Sequence, residues 1–265
     1  ILGRAPPDRA QAETAADRAE RLARNVARLA QAEADRAARD REDNAFRDKE
    51  ISQARGIWLH ATDAAGSVVE AYLKARTGAQ ALPMGLWDNL RLSARHTYWH
   101  GRDMRGHLID LHCGPAMIAP MVDATGKITG CHQTWIDMAN PARKFRPYLA
   151  ERAADGTRQP LPTKKMRGHK KGSLIPLCGD IEAKRWLGGE GIEGTCFVAD
   201  GEGWREDTFY FAAGDIGNMA GPADPKSGFA HPTLKKSGAD GKARAVRIPG
   251  PVPKPDSTGD AFGVA

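Results

Sequence analysis

Residues 187–194 read Leu-Gly-Gly-Glu-Gly-Ile-Glu-Gly. Glu190 and Glu193 stand three apart among four glycines. Glycine lets a backbone turn sharply and leaves room beside it. Carboxylates on such a turn can hold a divalent cation or move a proton. The same stretch spells Gly-x-Gly-x-x-Gly through Gly189, Gly191 and Gly194, the pattern of a dinucleotide-binding turn. That reading requires an apolar strand directly before the turn and a helix directly after it. The preceding Glu182-Ala-Lys-Arg-Trp-Leu-Gly carries charges near its centre and makes a poor strand. Glu190 and Glu193 would repel a pyrophosphate, although Asp215 lies about 20 residues on, where a ribose-binding acid belongs. Metal or acid–base chemistry suits the octet better, with Glu190 as catalytic residue and Glu190 and Glu193 as ligands. Mg2+ is the implied ion, because it takes oxygen ligands and keeps several waters.

Charge is segregated along the chain. The formal net charge is +6. Residues 140–175 hold 10 basic side chains against Glu151 and Asp155, whereas residues 180–224 hold 10 acidic against three basic. A basic block followed by an acidic one suits a protein that grips a polyanion and holds a cation beside it. The nucleic-acid-binding candidates are Arg143, Lys144, Arg146, Lys164, Lys165, Arg167, Lys170 and Lys171. Glycines around residues 164–172 would let lysines and backbone approach phosphates. Tyr98, Trp99 and Trp135 can stack bases, but their spacing is more often that of core residues.

The four cysteines, Cys113, Cys131, Cys178 and Cys196, form no Cys-x-x-Cys, which argues against a zinc ribbon. Facing each other across a hairpin, His112-Cys113 and Cys131-His132 would offer four ligands, but neighbours on a strand point to opposite faces. Reduced cysteines of a cytoplasmic protein are the expectation. No run approaches the ~18 apolar residues of a membrane span. The chain starts at Ile1 without a signal-peptide pattern and ends in a Pro-rich run, which reads as a piece of something longer.

Positioning these residues falls to three regions. Residues 8–55 lack Gly and Pro and are rich in Ala, Arg and Glu, so a helical arm of about 70 Å is expected over 1–55. Leu22, Val26 and Leu29 form one short apolar stripe on it, enough for a weak pairing with a helicase or a second copy. Its 11 basic and 11 acidic residues over 1–50 argue against a DNA-binding arm. Residues 56–178 read as a mixed α/β nucleic-acid-binding domain. It begins with a helix over 57–77 that Gly66 may break. Short strands follow at Leu90–Leu92 and His96–His100, then a hairpin of 116–123 with 128–136. Pro120 marks an edge or a bulge there. A polar loop is expected over 137–163 and a short strand over 173–177. Residues 179–265 then carry the octet, a buried strand at Thr208–Ala213, loop over 222–242 and a last strand at Ala243–Ile248.

Glu190-Gly-Ile-Glu193, after Leu187 and before Thr195, resembles the first motif of Toprim domains. The likeness is closest to Toprim-containing, primase-like proteins of phages, plasmids and other mobile elements. Glu70–Arg76, Pro115–Asp123, Gly130–Trp135, Lys164–Gly168 and Ala213–Gly221 resemble further stretches of those proteins in the same order, so the resemblance covers roughly 56–225. It implies a Mg2+-dependent nucleotidyl or phosphoryl transfer on single-stranded DNA with nucleotides as substrates. Glu190 matches the family's acid–base or metal-side glutamate, and Lys164, Lys165 and Arg167 match its basic stretch. Gly194 stands where the family commonly has Thr. The family's site also needs a downstream Asp-x-Asp. None follows Glu190, and Asp240, Asp256 and Asp260 are isolated. The expected fold is α+β (mixed α/β): helical arm, β-rich middle, incomplete Toprim-like α/β C-terminal part. By itself the chain is expected to be an inactive fragment. The alternative is a non-catalytic nucleic-acid-binding or scaffold protein of a phage or plasmid replication system.

Overall fold

The structure is a computed structural model that describes residues 15–152, 155–221, 223–237, 243–250 and 252. Helix α1 spans Ala15–His60. The chain divides into two compact units between Asp48 and Lys49. In the first unit, Leu22, Val26 and Leu29 are exposed, as is Phe46. Its helix is held by its own backbone and by pairs one turn apart, such as Arg24–Glu20 at 3.3 Å and Gln31–Asp35 at 2.7 Å. Exposed pairs of this kind add only about 0.2–0.5 kcal/mol each.

The second unit starts within α1, which runs through Gly56 to His60 instead of stopping at residue 55. Expectation and structure part at residues 57–77. One helix ends at His60 and a two-residue strand β1 follows (Thr62–Asp63). Gly66 then turns the chain at φ 69°, in the left-handed region that favours glycine. Helix α2 (Val68–Thr77) starts on a Ser67 N-cap whose hydroxyl accepts from the Val69 N–H, and it ends on Gly78.

The two short strands near residue 90 are one strand, β2 (Arg91–Arg102). The expected hairpin is present as β3 (Leu108–Val122) and β4 (Ile128–Trp135). Residues 137–163 contain a small pair, β5 (Tyr148–Arg152) and β6 (Arg158–Pro160). The basic stretch Lys164–Gly168 forms β7, antiparallel to β4. The sheet order is β1-β2-β3-β4-β7. Pro120 lies past Ile118, the last β3 residue that pairs with β2. There its missing N–H interrupts no ladder, and a register shift follows at Met121–Val122.

Alternation gives the sheet two different faces. Met117, Ala119 and Met121 face one cluster with Tyr72, Leu73 and Ile175, while Ala116, Ile118, Cys131 and Trp135 face another with Trp58 and Tyr98. In β4 this sends His132 and Thr134 to the first face and Gln133 to the second.

The chain then forms β8 (Ile175–Cys178), β9 (Arg185–Gly189), α3 (Ile192–Gly201) and β10 (Thr208–Ala212). The sheet order is β8-β10-β9, with β9 and β10 parallel. The expectation that Glu182–Gly188 makes a poor strand is therefore overturned. Arg185 is satisfied at the strand's start by Glu202 at 2.7 Å and Thr208 at 2.8 Å. The double glycine is explained by packing. A Cβ at Gly188 would run into the Phe211 ring, and one at Gly189 would stand 2.6 Å from Thr195 Oγ1. One hydrophobic cluster joins Tyr72, Met117 and Met121 to Ile192, Cys196 and Tyr210, so the packing has no break at residue 178.

Helix α4 (Ile216–Ala220) follows β10. The region expected as loop over 222–242 holds a 3-10 turn and β11 (Phe229–Ser237), which pairs with β12 (Ala243–Ile248). The chain is a mixed α+β protein with a long N-terminal helix and a sheet-rich body.

Candidate functional site

Glu193 sits in the first turn of α3, and two distant elements close on it. The Tyr72 hydroxyl on α2 donates to its Oε1 at 2.6 Å, and Lys144 Nζ lies 2.8 Å from the same oxygen. Burial alone would raise the carboxyl's pKa, but Lys144 and Tyr72 outweigh it and hold it down to about 2. Burial, with help from the charge on Glu193, raises the Tyr72 phenol. His132 lies on the same side of the first sheet. Its ring is pushed down to about 4, by burial first and by Lys164 next, with Glu193 opposing. Its Nδ1 lies 3.4 Å from Thr134 Oγ1. A neutral imidazole is thus kept among Lys144, Lys164, Glu193 and Asp215.

Glu190 is placed differently. It is exposed on the two-residue turn between β9 and α3. Because β9 and β10 are parallel, their C-terminal ends lie side by side. The Ala213 N–H donates to the Gly189 carbonyl at 2.9 Å, so Glu190 borders the loop Gly214–Asp215. Asp215 caps α4 by accepting from the Asn218 N–H at 2.9 Å, and it pairs with Lys170. Burial of Asp215 opposes ionisation, but Lys170 prevails and lowers its pKa. Lys164 Nζ donates to the Gly214 carbonyl at 3.2 Å. Asn218 ties the loop down through its amide, to Ser173 at 2.7 Å and Ala213 at 2.8 Å.

The strand–turn–helix context of a dinucleotide turn is thus present, yet its chemistry is not. The ionised Glu193 occupies the first turn of α3, and glycines 188 and 189 serve packing contacts. For a divalent cation the fit is partial. Glu193 is committed to Lys144 and Tyr72, and Asp215 to Lys170, which leaves Glu190 as the accessible carboxylate of this region. Among the described residues no cluster of three or more His, Cys, Asp or Glu converges as a metal site. Glu193 is a half-buried ion-pair partner here, its carboxylate engaged by Lys144 and Tyr72. Asp240, Asp256 and Asp260 lie outside the described residues.

The basic candidates do not line one groove. Lys144, Lys164 and Lys170 gather around Glu193 and Asp215. Lys165 and Arg167 point to the opposite face of β7. There Lys165 Nζ lies 3.9 Å over the Tyr98 ring and donates to the Trp99 carbonyl. Arg167 meets Gln53 and lies 3.8 Å from Glu50. Arg143, Arg146 and Lys171 are exposed. Tyr98 and Trp135 are core residues packed edge to face at 4.7 Å, whereas Trp99 is 44% exposed. The two Cys-His pairs do not meet. Cys131 stands opposite Pro120 in β3, Cys113 stands opposite Thr97 in β2, and His112 stacks on Phe145 at 3.7 Å. Tyr72 was not among the sequence-based candidates, and His132 was considered only with Cys131 as half of a Cys-His pair. Tyr72 reaches Glu193 across 121 residues of sequence, a pairing that only the fold creates.

The site therefore belongs to a parallel βαβ unit packed on an antiparallel sheet, with a carboxylate and a lysine-held acidic loop at adjoining strand ends. Residues 48–177 match the family model of a domain of unknown function (DUF7146). No curated protein and no solved structure matches the chain. Among the described residues, no helix is long and apolar enough to cross a membrane.

Proposed function

We propose that this chain is part of a primase-like, Mg2+-dependent nucleotidyl-transfer protein acting on single-stranded DNA in the replication of a mobile element. The observation that carries this reading is the exposed Glu190 at the C-terminal end of parallel strand β9, beside Asp215 and the lysines around it. In open parallel sheets, ligands bind outside the carboxyl ends of the strands. Phosphoryl transfer needs little from a protein beyond positioning and charge stabilisation. In this reading Glu190 holds a cation or handles a proton. Lys164 and Lys170 stay on the loop they already fix and lend positive charge beside the phosphates. The Toprim-like order of motifs supports the same assignment. Since these 265 residues contain no Asp-x-Asp after Glu190, the reading gives this chain half of a cation site, inactive without further carboxylates. Mg2+ would supply charge neutralisation at the phosphates. The setting proposed is cytoplasmic, with the Leu22–Val26–Leu29 stripe recruiting a helicase or a second copy.

The second reading is a non-catalytic nucleic-acid-binding or scaffold protein of a phage or plasmid replication system, favoured by the engagement of Glu193 and Asp215 with lysines. Template-dependent incorporation of labelled nucleotides with Mg2+, by the protein that supplies the downstream carboxylates, separates the two. The first reading expects primer synthesis. Binding of single-stranded DNA without any incorporation favours the second.

A further inference from the structure

The opposite face of the five-stranded sheet carries a separate feature that the Glu190 region does not use. An open cleft of about 640 Å³ lies against β2, β4 and β7. That size falls within the usual range of small-ligand sites, ~300–1,000 Å³. Arg95, Lys165 and Arg167 line it, together with Trp99, His96 and Gln133. Arg95 is exposed on β2. Lys165 is fixed in place by the Trp99 carbonyl and the Tyr98 ring. Glu50, 3.8 Å from Arg167, is the carboxylate that offsets part of this charge. His96 Nε2 and Gln133 Oε1 lie 2.8 Å apart. An amide oxygen only accepts, so the ring nitrogen donates, while the Gln133 side chain also hydrogen-bonds the Cys131 thiol. Burial keeps the His96 ring below its usual pKa.

We infer that this cleft binds a nucleotide unit. Arg95 and Lys165 take the phosphate, and the Trp99 ring takes a base face. An acidic peptide would need the cations but not the half-exposed indole beside them. The same chemistry can come from a free nucleoside phosphate or from one nucleotide of a single strand. The inference goes beyond the proposed transfer reaction, since none of its residues touches Glu190.

The test uses the full chain, a fluorescent oligothymidylate, free dTTP in EDTA, and a poly-glutamate control. Arg95→Ala and Trp99→Leu alter exposed side chains and leave the fold intact, which circular dichroism checks. Loss of one stacked base or one phosphate contact weakens binding by about tenfold. Arg95→Ala also lowers the slope of log K against log salt by about 1. Weakening of the oligonucleotide alone assigns the cleft to the strand, and parallel weakening of dTTP assigns it to a nucleoside phosphate. Either result supports the inference. Wild-type affinity in both variants, no binding of either probe by the unaltered chain, or equally tight poly-glutamate binding that ignores Trp99→Leu would overturn it. None of the cleft's residues touches Glu190, so failure here leaves the transfer reaction standing, and the reverse holds.

Discussion

Glu190 lies on the turn before α3 and Glu193 in the helix's first turn, three residues on, and everything around them differs. Glu193 is closed in by Tyr72 and Lys144, while Glu190 faces solvent. Removing one partner of a largely buried ion pair strands the other charge. Lys144→Met is therefore expected to destabilise the second unit by about 2–4 kcal/mol, read as a lower denaturant midpoint with an unchanged slope. An unaltered midpoint would mean that the pair is solvated. The sequence showed the carboxylates and their glycine setting but not their division of labour. The partners that decide it, Tyr72 and Lys144, come from elements far away in the chain. The basic stretch shows the same limit. Its composition suggested one groove, but strand alternation sends Lys164 to one face of β7 and Lys165 and Arg167 to the other.

At the scale of elements, the β9–α3–β10 unit depends on close approach. Gly188 leaves the space that the Phe211 ring fills. Overpacking of this kind typically costs about 1–3 kcal/mol, so Gly188→Val should lose that much stability. Adding Phe211→Ala to Gly188→Val should recover part of it. Equal stability of Gly188→Val and the parent in urea denaturation would contradict the packing account. This unit was only half legible in the sequence. Thr208–Ala212 announces itself as a buried strand, whereas Arg185–Gly189 hides its strand character behind charges that Glu202 and Thr208 satisfy. The β3–β4 hairpin and the long helix were legible because periodicity and turn chemistry are local. The break at residues 61–67 depended on Gly66 adopting a positive φ, which the sequence permits but does not require.

For the whole molecule, two buried groups couple folding to pH in different windows. His132 is held neutral down to about 4, whereas an unfolded histidine takes up its proton near 6.5. Between those values the unfolded chain binds more protons, so stability falls as pH is lowered. Glu193, held down to about 2, contributes stability that is complete above the unfolded carboxyl value near 4.5 and is lost as pH falls toward 2. His132→Gln should flatten the stability profile between pH 6.5 and 4 and leave the lower window unchanged. An identical slope in parent and variant would show that His132 is protonated in the folded state.

The contrast between the two glutamates is measured directly by primer synthesis in the protein that supplies the downstream carboxylates. Glu190→Gln is expected to abolish Mg2+-dependent incorporation while leaving the denaturant midpoint and single-stranded DNA binding at parental values. Glu193→Gln is expected to lower the midpoint by stranding Lys144. Full incorporation by Glu190→Gln would contradict the account.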